Sequence, residues 1–188
     1  RVVDRRVAAI AMLVTPVIGA ALGLLVGGGA QLLSDHTSAG PFLSAALAVG
    51  ALAYVTRAIH LDGLADTADA LGSGRPAADA LAIARRSDIG PFGVVTLVVV
   101  LLVDVAAIAQ ALIVGAGPVL LLVALGTGRL MLALGCLRGV PAARADGLGA
   151  AVAGSVPAGG FIAVVAVWAI ACSALAAYTL HWLDPTAA

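Results

Sequence analysis

The stretch FGVVTLVVVLLVDVAAIAQALIV, Phe92 to Val114, decides how the rest of the chain is read. An α-helix needs about 20 mainly apolar residues to cross a hydrocarbon core, and this run supplies them with Asp104 as its one charge. Its β-branched residues would also suit buried strands. Strands, however, run to about four to eight residues, and the period-two alternation of a β-barrel is absent. The stretch is a helical membrane span.

Four other runs repeat that character on either side of it. Val7 to Leu33 carries Pro16 and several glycines, which transmembrane helices tolerate. Phe42 to about Leu61 holds Arg57 and His60 near its end. Pro118 to Leu137 contains Arg129, and Phe161 to Leu183 contains Trp168, with Tyr178 and Trp182 near its end as in an interfacial aromatic belt. The expected fold is therefore all-α: a polytopic helical membrane protein with about five transmembrane helices. It forms a single integral-membrane domain over residues 1–188, with a cytoplasmic acidic segment at 60–91 and a second cytoplasmic loop at 138–160.

Composition agrees. Of 188 residues, 62% are hydrophobic and only 11% charged, against roughly 25% charged in soluble domains; the mean hydropathy is +1.14. Net charge is zero, so bulk electrostatics points to no nucleic-acid partner and to no anionic surface. Cys136 and Cys172 fall in apolar runs without metal-ligand spacing and read as small core residues. The chain starts at Arg1 without a Met, which reads as a fragment or processed form.

Orientation follows from arginine, since every base is Arg. Successive connections carry 3, 0, 4, 0, 2 and 0 arginines, leaving Arg129 within a span. That alternation is a positive-inside pattern. It places the protein in the cell membrane as a multi-pass protein, with its N-terminus and both long polar loops in the cytoplasm.

Against this background HLDGLADTADALGSG, His60 to Gly74, is anomalous. Asp62, Asp66 and Asp69 stand at i, i+4 and i+7, within an arc of roughly 60° on a helix. Like charges on one stripe repel, so something positive should face them. Carboxylates without thiolates favour a hard ion such as Mg²⁺ or Mn²⁺, and Mg²⁺ shares its coordination with waters and substrate phosphates. Small residues around the stripe, Gly63 among them, leave room for a bulky ligand; LGSG by itself reads as an ordinary turn. Arg85 and Arg86 can grip phosphate as planar, permanently charged forks or serve only as topology determinants. His60 lies about 160° from Asp62 on a continuous helix, which favours packing or an interfacial hydrogen bond over ligation, with a proton acceptor for a hydroxyl as the alternative. Asp104 and Arg129 within spans cost about 2.5–3.5 kcal/mol each on insertion scales, so Arg129 is a candidate for pairing or for a functional contact. Arg144 and the DGLG of Asp146 to Gly149 share the expected cytoplasmic side.

Together, TRAIHLDGLADTADALGSG, SDIGPFG at Ser87 to Gly93 and PAARADGLGA at Pro141 to Ala150 resemble the cobalamin synthase family of adenosylcobinamide-GDP ribazoletransferases. The resemblance implies an Mg²⁺-dependent membrane enzyme of the last steps of cobalamin biosynthesis. It would join adenosylcobinamide-GDP to α-ribazole, or its 5′-phosphate, with release of GMP. Asp62, Asp66 and Asp69 would then be catalytic metal or diphosphate ligands. His60, Gly63, Thr67, Arg85, Arg86, Asp88, Arg129 and Arg144 would be substrate-binding candidates. Many members of the family have Asp-Ser-Arg-Ile-Gly where this chain has Arg86-Ser87-Asp88-Ile89-Gly90, with the charges exchanged. The family also usually continues to a Gly-Gly-x-Thr-Gly-Asp segment and a further helix. Alternatives are a CDP-alcohol phosphotransferase, whose pattern instead has Asp-Gly followed by Ala-Arg, and a cation transporter, whose site would normally lie at the midplane.

Overall fold

The structure, a computed structural model, describes residues 4–183 other than Ser87, Arg144 and Asp146. The described residues form eight helices: α1 Arg5–His36, α2 Gly40–Val55, α3 Ile59–Gly72, α4 Ala77–Ile83, α5 Pro91–Ile113, α6 Gly117–Gly135, α7 Gly147–Val152 and α8 Ala158–Leu183. The only other regular pairing among them is one parallel bridge between Leu137 and Val156. Helices α1, α5, α6 and α8 are each long and apolar enough to cross a membrane, and α2 with α3 makes a fifth apolar stretch. The all-α, polytopic expectation holds.

The second run departs from its expected bounds. It does not continue as a helix to Leu61: α2 stops at Val55, and α3 leaves it at 91°. The break is local and steric. Arg57 and Ala58 both adopt φ +54°, a left-handed conformation that costs an L-residue about 1–2 kcal/mol, and Ala58 forms the N-cap of α3. Ala58→Gly should therefore stabilise the chain by roughly 0.5–1 kcal/mol, the steric relief less the entropy of the freer unfolded chain. A thermal melt in detergent checks this; a lowered midpoint would contradict it. The acidic segment likewise is not an open loop but two helices, α3 and α4, joined by a tight turn at Gly74.

The described chain divides into two compact units. One runs from Leu25 to Leu120. Its centre is α5, against which both α2 and α3 pack, with Ser44, Ala45 and Ala48 of α2 and Ile108, Ala109 and Leu112 of α5 buried. Gln31, near the end of α1, serves the α5–α6 turn: its Nε2 donates to the Leu112 carbonyl at 3.0 Å and its Oε1 accepts from Gly117 N–H at 3.3 Å. The Gly117 amide at the start of an apolar helix thereby gains a partner, and the Leu112 carbonyl, which already accepts from Gly115 N–H at 3.1 Å, gains a second donor.

The other unit comprises the chain up to Leu24 and from Leu121 onward. Pro16 lies inside α1 and is fully buried. Proline cannot donate to the carbonyl four residues back, that of Met12. The Thr15 hydroxyl takes that role, donating to the Met12 carbonyl at 2.7 Å, and also lies 3.2 Å from the carbonyl of Arg129 on α6. Trp168 of α8 lays its ring over Gly126 and donates from Nε1 to the Thr127 hydroxyl at 3.0 Å. Cys136 is buried and Cys172 half-buried, both as free thiols.

Candidate functional site

In the Leu25–Leu120 unit, the end of α3, the turn after it, the end of α4 and the start of α5 border an open cavity of about 290 Å³. Asp66, Asp69 and Asp88 line it together with Arg75 and Arg86, and Ser73, Ile83, Gly90, Pro91 and Phe92 complete the wall. Three carboxylates and two guanidinium groups thus share one concavity. That mixture suits a ligand carrying both negative oxygens and bound cations.

Each element delivers its residue for a local reason. α3 ends at Gly72, and Gly74 at φ +61° turns the chain back, as a glycine past a helix end commonly does. The Ser73 hydroxyl donates to the Ala70 carbonyl at 2.6 Å and accepts from the Arg75 N–H at 3.3 Å, fixing where Arg75 emerges. At the end of α4, turn hydrogen bonds from Arg85 N–H to Ala82 and from Arg86 N–H to Ile83 lead the chain towards Asp88.

The start of α5 has an unusual cap. Gly90 is its N-cap and Pro91 its first residue, and among the described residues of this segment no side chain caps it. Asp69 does so from α3: one carboxylate oxygen accepts from Gly90 N–H at 2.7 Å, the other from Gly93 N–H at 2.9 Å. In a capping box these two amides are served by two different side chains. Here one carboxylate, only 9% exposed, serves both, where the positive end of the α5 dipole favours its charge. The approach is close enough that a Cβ on Gly90 would run into the Asp69 carboxylate, and one on Gly72 into the Phe92 ring.

The expected site residues therefore separate. Asp66, Asp69, Arg86 and Asp88 come together at the cavity, whereas Asp62, His60, Gly63, Thr67 and Arg85 are exposed and lie outside its lining. The Thr67 hydroxyl donates back to the Gly63 carbonyl at 2.7 Å. Gly63 has open space where a side chain would be. Arg129 belongs to the other unit, where its stem lies against Gly19 of α1. Arg144 falls outside the described residues. Sequence reasoning missed Arg75, although the turn glycine just before it was a usable signal. It also missed the capping of α5, signalled by Gly-Pro at the start of an apolar helix, a pair that brings no capping side chain of its own.

The donor chemistry fits a hard divalent cation in kind, since the carboxylates offer oxygen alone. Among the described residues no group of three or more His, Cys, Asp or Glu side chains is gathered to hold an ion unaided. Mg²⁺ at phosphate sites does not require one: it characteristically takes one or two carboxylates and completes its shell with phosphate oxygens and water.

The sequence model of the cobalamin-5-phosphate synthase family matches residues 1–187. The chain belongs to that family. It is 44% identical over 179 residues to the adenosylcobinamide-GDP ribazoletransferase of Frankia casuarinae, covering 89% of this chain and 64% of the relative. A Nocardioides protein of the same name is 46% identical over 160 residues, with 82% and 66% covered. That of Pseudomonas savastanoi pv. phaseolicola is 41% identical over 169 residues, with 89% and 68% covered. The chain thus spans about two thirds of the length of these relatives. No solved structure matches it. Family and apolar helices together make it a multi-pass membrane protein.

Proposed function

We propose that this chain carries the catalytic cavity of a Mg²⁺-dependent adenosylcobinamide-GDP ribazoletransferase, opening on the cytoplasmic face of the cell membrane. The observation that carries the reading is the joint lining of one cavity by Asp66, Asp88, Arg75 and Arg86, in a chain whose relatives bear that name. Adenosylcobinamide-GDP presents a diphosphate, and α-ribazole a hydroxyl. The hydroxyl oxygen attacks the phosphorus on the cobinamide side. The bond from that phosphorus to the bridging oxygen breaks, GMP leaves with the electron pair, and the hydroxyl proton passes to solvent.

Such a displacement asks the protein mainly for positioning and for stabilisation of charge on phosphoryl oxygens. Arg75 and Arg86 meet that need as fixed, planar donors. Asp66 and Asp88 would hold Mg²⁺, which when bound supplies charge neutralisation at the diphosphate. The exchanged charges at Arg86 and Asp88 keep one cation and one carboxylate at the cavity, which preserves the chemical inventory.

The test is GMP release from adenosylcobinamide-GDP and α-ribazole by the chain in lipid, with and without Mg²⁺. Release that requires both the metal and ribazole is the expected result. Silence from this chain and from one extended to the length of its relatives would overturn the proposal.

A further inference from the structure

We infer that Asp69 is a positioning residue that clamps α3 to the start of α5, and not a ligand of metal or substrate. The bearing of this on metal binding rests on the function proposed above; the clamp itself rests on geometry alone. Both carboxylate oxygens of Asp69 already accept main-chain N–H groups, at 2.7 and 2.9 Å. The residue is almost fully buried, whereas Asp62 on the same stripe is exposed and Asp66 half-exposed.

Among the described residues of the segment that starts α5, no side chain stands in for it at these amides. Gly90 has no side chain to reach Gly93, and Pro91 contributes no N–H. Around this contact the two helices approach closely: a Cβ on Gly93 would stand 3.1 Å from the Ala65 carbonyl. The segment between the two ends of the clamp carries Arg75, Arg86 and Asp88, all of which line the cavity. Loss of the clamp would free both ends of that segment. Asp69 therefore acts through these residues, by fixing where they stand.

The backbone supplies a rescue that separates a clamp from a ligand. Gly90 has φ −90° and ψ 175°, the extended conformation in which a serine N-cap accepts from the amide of the third helical residue. In the parent chain a side chain at this position runs into the Asp69 carboxylate; with Asp69 truncated, that space is open. So Asp69→Ala and Gly90→Ser should each be harmful, and together they should compensate in part. A serine hydroxyl restores a cap but does not replace the charge of a metal-binding carboxylate.

The experiment measures the thermal midpoint and the Mn²⁺ affinity, by electron paramagnetic resonance, of the parent, both single variants and the double variant in lipid nanodiscs. Each single change should lower the midpoint by roughly 5 °C. The double variant should recover about half of the midpoint lost in Asp69→Ala, because the serine hydroxyl serves the Gly93 amide and leaves the amide at position 90 unserved, and it should bind Mn²⁺ within threefold of the parent. Additive losses in the double variant would overturn the clamp. A partly recovered midpoint with Mn²⁺ binding weakened tenfold or more would make Asp69 a ligand, and would also overturn the inference. Absence of Mn²⁺ binding in the parent would count against the proposed function, and the midpoints alone would then decide the clamp.

Discussion

Asp66→Asn is expected to slow GMP release by about 10²–10³-fold, the loss typical when one preorganised charge-stabilising group is removed. The argument is positional. Asp62, Asp66 and Asp69 carry the same chemistry on one helix, but Asp69 commits both carboxylate oxygens to the Gly90 and Gly93 amides, and of the other two only Asp66 lines the cavity. Asp62 lies one turn nearer the α2–α3 bend, exposed and off the lining. Asp62→Asn should therefore cost about tenfold at most, through the longer-range field of a screened surface charge. Asp79, exposed on α4 and likewise off the lining, provides the control and should leave the rate near that of the parent. The assay is single-turnover GMP release at saturating Mg²⁺, with each variant's thermal midpoint recorded alongside. If Asp62→Asn proves as damaging as Asp66→Asn, the ligand set extends along the whole stripe and the cavity described here is only part of the site.

The differing fates of those three aspartates show what sequence could and could not convey. The i, i+4, i+7 spacing placed them on one side of α3, and α3 is indeed a helix. In azimuth Asp62 falls between Asp66 and Asp69, so what separates it is its place along the axis, about one turn nearer the start of α3 than Asp66. Which of the three meets α5 depends on how α3 lies against it, and that follows from Gly90 and Gly93 some twenty residues later. The long apolar helices were legible because hydrophobic runs of that length have few alternatives. The bend at Arg57 and Ala58 was not: neither residue is Gly or Asn, so nothing local marks a left-handed conformation. Arg75 was readable only once the turn at Gly74 was allowed to aim the residue after it. Asp88 was placed at the site by resemblance alone, and the structure sets it on the cavity wall.

Gly23→Leu is expected to be the most damaging single change to the fold itself. Gly19, Gly23 and Gly27 lie four residues apart along α1, so they stack on one face, a small-xxx-small arrangement that lets transmembrane backbones touch. Within one unit, a Cβ on Gly23 would meet the carbonyl group of Leu121 and the amide nitrogen of Leu122, and one on Gly19 the Leu125 carbonyl. Within the other, a Cβ on Gly27 would meet the main chain of Gly117 and Pro118. In all three positions main-chain atoms are in the way, and no rotamer change of a flexible neighbour relieves the clash. The helices must separate, and both main-chain and side-chain contacts are lost over several turns. Over-packing of this kind costs about 1–3 kcal/mol in soluble cores where side chains can yield, and it should reach at least about 3 kcal/mol here, in the range that marks a specific structural lesion. Gly28, on the same helix, has nothing within 4 Å of its Cβ position, so Gly28→Leu adds a similar apolar side chain without the collision. A steric-trap or denaturant titration in bicelles on the two variants makes the comparison: the midpoint should fall sharply for Gly23→Leu and barely move for Gly28→Leu. Equal midpoints would mean that α1 does not approach its neighbour as closely as the structure shows, and the contacts of Thr15 and Gln31, which belong to the same helix, would then need to be redrawn.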